Sequence, residues 1–165
     1  MARRDPEQNV TQSVLERLID RDAGISDGRV SYAQSVRQLK ISLRRDIEWL
    51  LNTRRTPEPA GKDLPELQNS LFNFGLPDVT SLSYESSGDR NRLLKMVEST
   101  IATFEPRLTG VKVTPLEPAR GAVHVLRFQI EGMLMMDPEP ELISFDTVLL
   151  LASGQYDVKG DPSAG

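Results

Sequence analysis

The sequence contains no cysteine and one histidine, His124. Without cysteine there are no disulfides, no zinc–thiolate centres and no thiol chemistry. With one histidine there is no imidazole pair at the His-x-x-x-His spacing that a zinc or iron site needs. Long apolar runs are also missing. The longest, Val148 to Ala152, is five residues, far short of the ~20 of a membrane-spanning helix. No one sign of charge dominates: 20 basic and 24 acidic residues leave a formal net charge of −4, which gives no reason to expect nucleic acid or anionic membrane as a partner. Gly24 and Gly28 are not followed by the lysine and serine or threonine of a phosphate-binding loop, and no Gly-x-Ser-x-Gly elbow occurs. The opening MARRDPEQNV has two arginines but no apolar stretch behind them. It does not read as a secretory signal, so a cytoplasmic protein is the default expectation.

What is present fits one globular domain. A chain of 165 residues, 38% hydrophobic and 27% charged, is long enough to bury a core without staples. Residues 1–10 are polar and expected to be disordered, 11–158 form the domain, and 159–165 form a flexible tail. Thr11 caps an expected short helix to Asp20, with Val14, Leu15, Leu18 and Ile19 on one side. The strongest helical signal runs from Val30 to Thr53, where Tyr32, Val36, Leu39, Leu43, Ile47 and Leu50 recur at steps of three and four. They form one apolar stripe. Ser31 is the expected N-cap, and Pro57 prevents continuation. The opposite side, with Arg37, Lys40 and Arg44, reads as a solvated face or a face for a protein partner, with Glu48 one turn after Arg44. After the TPEPAGKDLP loop, Gly75, Pro77 and Asp78 break the next segment into short turns. A further helix, capped by Ser87 or Asp89, runs to Phe104 with Leu94, Val97, Ile101 and Phe104 on its apolar side.

Beyond Pro106 the apolar period changes from 3.6 to 2. Strands are expected over Val111–Leu116, Ala122–Met135 and Glu141–Leu151, with Leu126, Phe128, Ile130, Leu134, Ile143, Phe145, Leu149 and Leu151 facing inward. His124 falls in the second. The closing SGQYDVKGDPSAG reads as a tail with a few ordered residues around Tyr156. Helices first and strands last define an α+β fold, with N-terminal helices packed on a C-terminal antiparallel sheet of three strands or slightly more.

Catalytic chemistry finds little support. His124 reads as a structural or surface histidine. Asp46, Glu48, Glu85 and Glu105 could pair for glycoside hydrolysis, but Asp46 and Glu48 are two apart on a helix and do not face each other. No catalytic, cofactor or metal residues are expected. The distinctive feature is Glu105-Pro106-Arg107, an acid and a base flanking the proline that stops a helix. Two readings stand about level: surface charges at a corner, or a rigid recognition element that uses an arginine fork and a carboxylate. An edge strand carrying Val111 and Val113 beside this corner would accept a strand from another chain.

Four segments in order, IEWLLNTRR, SLFNFGLPD, IATFEPRL and ISFDTVLLLASGQYDV, resemble the baseplate-wedge family of contractile injection machines. That family includes TssE of the bacterial type VI secretion system and the small wedge protein of contractile phage baseplates. The resemblance spans Thr11 to Val158. It implies a non-enzymatic structural subunit of a cytoplasmic baseplate docked at the inner-membrane complex. The implied partners are the wedge proteins TssF, TssG and TssK and the sheath proteins TssB/TssC, with no cofactor, nucleic acid or membrane insertion. It implies that Glu105, Pro106 and Arg107 help hold the first sheath ring, and that sheath arms add strands to the sheet. Arg54, in the LLNTR segment, is expected to reach a core carboxylate or a partner, while Asn52 and Thr53 satisfy terminal helix carbonyls. The "lysozyme-related" label attached to the family, which would imply a muramidase-like hydrolase, finds no recognisable acid–nucleophile pair here. A regulatory binding module of the same fold is the remaining alternative.

Overall fold

A computed structural model of the chain describes residues 32–58, 63–79, 82–83, 86–117, 124–137 and 139–160. The helix expected over Thr11–Asp20, and Ser31, the expected N-cap of the Val30–Thr53 helix, lie outside them. The described chain runs α1 (Tyr32–Asn52), the short α2 (Pro65–Gln68), a 3-10 turn (Leu71–Asn73), α3 (Ser87–Phe104), then β1 (Leu108–Pro115), β2 (Val125–Leu134), β3 (Glu141–Leu150) and β4 (Gln155–Val158). The strands form one antiparallel sheet in the order β1-β2-β3-β4, so strands consecutive in the chain are neighbours in the sheet.

The apolar stripe of α1 is buried as its spacing predicts: Leu39, Leu43, Ile47, Leu50 and Leu51 are all in the core. Tyr32, at the start of the same stripe, is exposed instead, and its hydroxyl donates to the Asp137 carbonyl at 3.3 Å. Leu93, Leu94, Val97 and Ile101 bury one side of α3. Its N-cap is Ser86 rather than Ser87 or Asp89. The Ser86 hydroxyl accepts from Asp89 N at 3.3 Å and so satisfies an N-terminal amide of the helix, while the Asp89 carboxylate accepts from Ser83 N at 3.1 Å and ties down the preceding loop.

Alternation along the strands sends Val113, Phe128, Ile130, Leu134, Ile143, Phe145, Leu149, Tyr156 and Val158 to the helix-covered face. Fully burying each such large side chain is worth roughly 1.5–3 kcal/mol. Phe128 and Tyr156 meet edge to face at 6.3 Å. β1 begins three residues earlier than expected because the Glu105–Leu108 turn passes straight into it. A register shift between Thr109 and Lys112 coincides with Gly110 at φ 61°, the left-handed residue of a β-bulge.

One sequence expectation is sharpened and one corrected. The few ordered residues expected around Tyr156 are a fourth strand, β4, paired with β3 through Thr147↔Val158 to Leu150↔Gln155. Only four residues long, with two apolar, it is too short for a periodic signal. His124 precedes β2 rather than lying within it and has φ 70°; its carbonyl accepts from Leu151 N at 3.0 Å.

The SLFNFGLPD segment folds back on the end of α1. Arg54 and Leu76 form a parallel bridge, in which Leu76 N donates to Thr53 O at 2.9 Å and Arg55 N to Leu76 O at 3.0 Å. Gly75 is the pivot: a Cβ there would lie 2.2 Å from Thr53 O. Phe74 packs against Phe104 edge to face at 5.4 Å.

Candidate functional site

Glu105 is the C-cap of α3, and its N–H completes the last helical bond to Ile101 O at 2.8 Å. Pro106 follows as the second residue of a tight turn closed by Leu108 N on Glu105 O at 3.1 Å, where its fixed φ is pre-organised. The turn folds the two flanking charges onto each other. Arg107 Nε donates to Glu105 Oε1 at 2.6 Å, and Nη2 donates to Glu105 Oε2 at 2.5 Å. The Arg107 backbone N–H reaches Glu105 Oε1 at 3.2 Å. This is a bidentate fork, the strongest arrangement of this pair. Nη2 also donates to Asp46 Oδ2 of α1 at 2.7 Å, and Met135 N at the end of β2 donates to Arg107 O at 2.8 Å. The corner therefore ties α1, α3, β1 and β2 together.

Glu105 is only 5% exposed, a degree of burial an isolated carboxylate does not tolerate. The side-chain hydrogen bond that Glu105 accepts is the largest influence on Arg107. With the Glu105 charge and the contacts to Asp46, it outweighs desolvation and raises the guanidinium pKa above its already high value. The arginine keeps its charge at any working pH.

Val111 and Val113 lie on β1 just beyond the corner. Val111 is half-buried at the bulge, and Val113 is buried with its N–H donating to Glu98 Oε2 of α3 at 3.0 Å. Arg54 stands apart. It is exposed past the end of α1, with its guanidinium beside Gly154 in the β3–β4 turn, toward the opposite border of the sheet. Among the described residues it has no ion-pair partner. The structure thus brings Glu105, Pro106, Arg107, Val111 and Val113 to one border and leaves Arg54 at the other.

Asn52 Nδ2 donates to Glu48 O at 2.9 Å and Thr53 Oγ1 to Trp49 O at 2.7 Å, the carbonyl capping expected of them. The basic side of α1 is less solvated than expected. Lys40 pairs with Glu141 at 2.8 Å, and Arg44 pairs with Glu48 at 3.3 Å while donating to Val158 O at 2.9 Å. Trp49 is 67% exposed and Ile41 48% exposed, two turns apart on the solvent side of the same helix. Two residues at the corner and the β1 border have no sequence signal for their role: Asp46 meets Arg107 across 61 residues, and Glu98, on the Val113 N–H, reads only as a polar helix position. Glu85 lies outside the described residues.

The family described as GPW_gp25, baseplate wedge protein gp25, matches residues 37–139, a stretch that contains most of α1 and all of α3, the acid–proline–base corner, β1 and β2. The chain belongs to this family of baseplate wedge proteins. It is also similar in fold to a chain of a solved assembly, "The baseplate complex from the type VI secretion system": 19% identity, 74% of this chain and 95% of that chain covered, TM-score 0.49. No curated protein matches the sequence.

Proposed function

We propose that this chain is the TssE-type subunit of a type VI secretion baseplate. In this reading it is a non-enzymatic part that joins the wedge proteins TssF, TssG and TssK to the contractile sheath TssB/TssC and helps start sheath polymerisation. It acts on the cytoplasmic side, where the baseplate docks at the inner-membrane complex. The observation that carries this reading is the Glu105–Arg107–Asp46 lock at the start of β1. It fixes the angle between two helices and the first strand of the sheet, which is what an anchor for a contracting sheath requires. Glu105, Pro106, Arg107, Val111 and Val113 form the sheath-facing end, and Arg54 serves a wedge contact at the other border.

The hydrolase alternative is less well supported. Asp46 and Glu105 both accept from Arg107 and Glu48 from Arg44, so these carboxylates are occupied as ion-pair partners rather than poised as a general acid and a nucleophile. The test is complementation of a strain lacking the gene. Wild type restores fluorescent sheaths and co-purifies TssF and TssG. Arg107→Lys, which keeps the charge but loses the fork, co-purifies the wedge proteins yet assembles few sheaths. Normal sheath numbers with that variant, or glycan cleavage at enzymatic turnover by the pure protein, would overturn the reading.

A further inference from the structure

The two borders of the sheet are closed in different ways. At β4, Gly154 N donates to Leu150 O and Lys159 N to Asp146 O, both at 2.8 Å. This phase turns the backbone of Tyr156 and Val158 outward. Three of the four outward groups, all but the Val158 N–H, are taken by α1. Tyr156 N donates to Asn52 Oδ1 at 2.9 Å, Asn52 Nδ2 donates to Tyr156 O at 2.8 Å, and Arg44 donates to Val158 O at 2.9 Å. Asn52 and Arg44 are themselves held by Glu48, through its carbonyl at 2.9 Å and its carboxylate at 3.3 Å. This border is sealed by anchored groups.

At β1, Leu116 N donates to Arg127 O at 2.9 Å, so Val113 and Pro115 turn their backbones outward. Pro115 has no N–H. The Val113 N–H is taken by a single group, the Glu98 carboxylate, at 3.0 Å. Among the described residues the carbonyls of Val113 and Pro115 accept no hydrogen bond. Charged groups and prolines on an edge strand are the usual means of keeping it from pairing indiscriminately.

We propose that Glu98 is a latch on β1, the sheath-facing border of the reading above: it occupies the Val113 N–H until an extended strand of another chain adds there. The incoming strand supplies one carbonyl to the Val113 N–H and two N–H donors to the carbonyls of Val113 and Pro115. Glu98 is half-buried, so on release its carboxylate turns into water. The exchange replaces one N–H bond with another and adds donors to two carbonyls that have none among the described residues. The partner is recognised through its main chain. This inference rests on the baseplate reading above and specifies what guards its β1 border.

The experiment measures two quantities on wild type, Glu98→Ala, Glu98→Gln and Asn52→Ala. One is the exchange rate of the Val113 amide by NMR in the free proteins; the other is affinity for purified TssB/TssC sheath subunits. In free Glu98→Ala, Val113 exchanges at least about tenfold faster than in wild type, with Glu98→Gln between the two. On binding, Val113 becomes protected in every variant. Glu98→Ala binds several-fold tighter than wild type, and Asn52→Ala binds as wild type does. Equal Val113 exchange in free wild type and free Glu98→Ala removes the latch alone. Binding that leaves Val113 unprotected, or that is tightened in Asn52→Ala, assigns the strand to another border and overturns the proposal while the baseplate reading stands. Failure of every variant to bind removes that reading and the strand addition with it.

Discussion

Asn52 stands where a fifth strand would pair with Tyr156. Its side-chain amide accepts from the Tyr156 N–H at 2.9 Å and donates to the Tyr156 carbonyl at 2.8 Å, the reciprocal pattern of an antiparallel neighbour. A helix side chain thereby ends the sheet.

Asn52→Ala removes both bonds at once. With each net hydrogen bond worth about 0.5–1.5 kcal/mol, the expected loss is roughly 1–3 kcal/mol by urea unfolding, with faster amide exchange at Tyr156. Asn52→Asp keeps the acceptor and loses the donor, and falls between.

Arg107→Ala leaves Glu105, 5% exposed, without its counter-charge. Breaking one partner of a buried pair costs about 3–5 kcal/mol; Arg107 is itself partly open to solvent, with 25% of its side chain exposed, so the lower end is expected. The double variant Glu105→Gln/Arg107→Met removes both charges together and recovers at least half of the loss. Equal destabilisation of the single and double variants in thermal melts would show that the ion pair is not what the corner depends on.

Gly75→Ala meets two obstacles together: a φ of 101° and a Cβ position 2.2 Å from the Thr53 carbonyl oxygen. Since that obstacle is backbone, the chain must shift. A cost of about 3–5 kcal/mol follows from overpacking and strain combined, measured as a lowered denaturation midpoint.

Thr147→Val goes the other way. Thr147 is 1% exposed in β3, and its Oγ1 has no hydrogen-bond partner among the described residues. A methyl of the same shape removes a buried unsatisfied hydroxyl and stabilises by about 1 kcal/mol. An unchanged or lowered melting temperature would mean that the hydroxyl is satisfied in solution.

Much of the architecture is legible because burial is written as periodicity. Leu39, Leu43, Ile47 and Leu50 repeat with the turn of a helix, and Phe128, Ile130, Ile143 and Phe145 alternate with the pleat of a strand. β4 is not legible, since Gln155-Tyr156-Asp157-Val158 offers only two apolar positions. The corner is legible only in part. Proline announces the turn, but a glutamate in sequence reads as a surface charge. Nothing along the chain says that Glu105 is enclosed or that Asp46, on another helix, shares its arginine. The borders are the least legible feature: Glu98 and Asn52 are ordinary polar helix residues until the sheet lies beside them.

By itself, then, the sequence determined which segments become helix and strand and where the acid–proline–base corner sits, since these follow from local stereochemistry and from the spacing of apolar side chains. Only the tertiary structure decided which charges meet and which sheet border is sealed. Those outcomes depend on atoms brought within about 3 Å from distant parts of the chain, and hydrogen bonds and ion pairs are decided at that range.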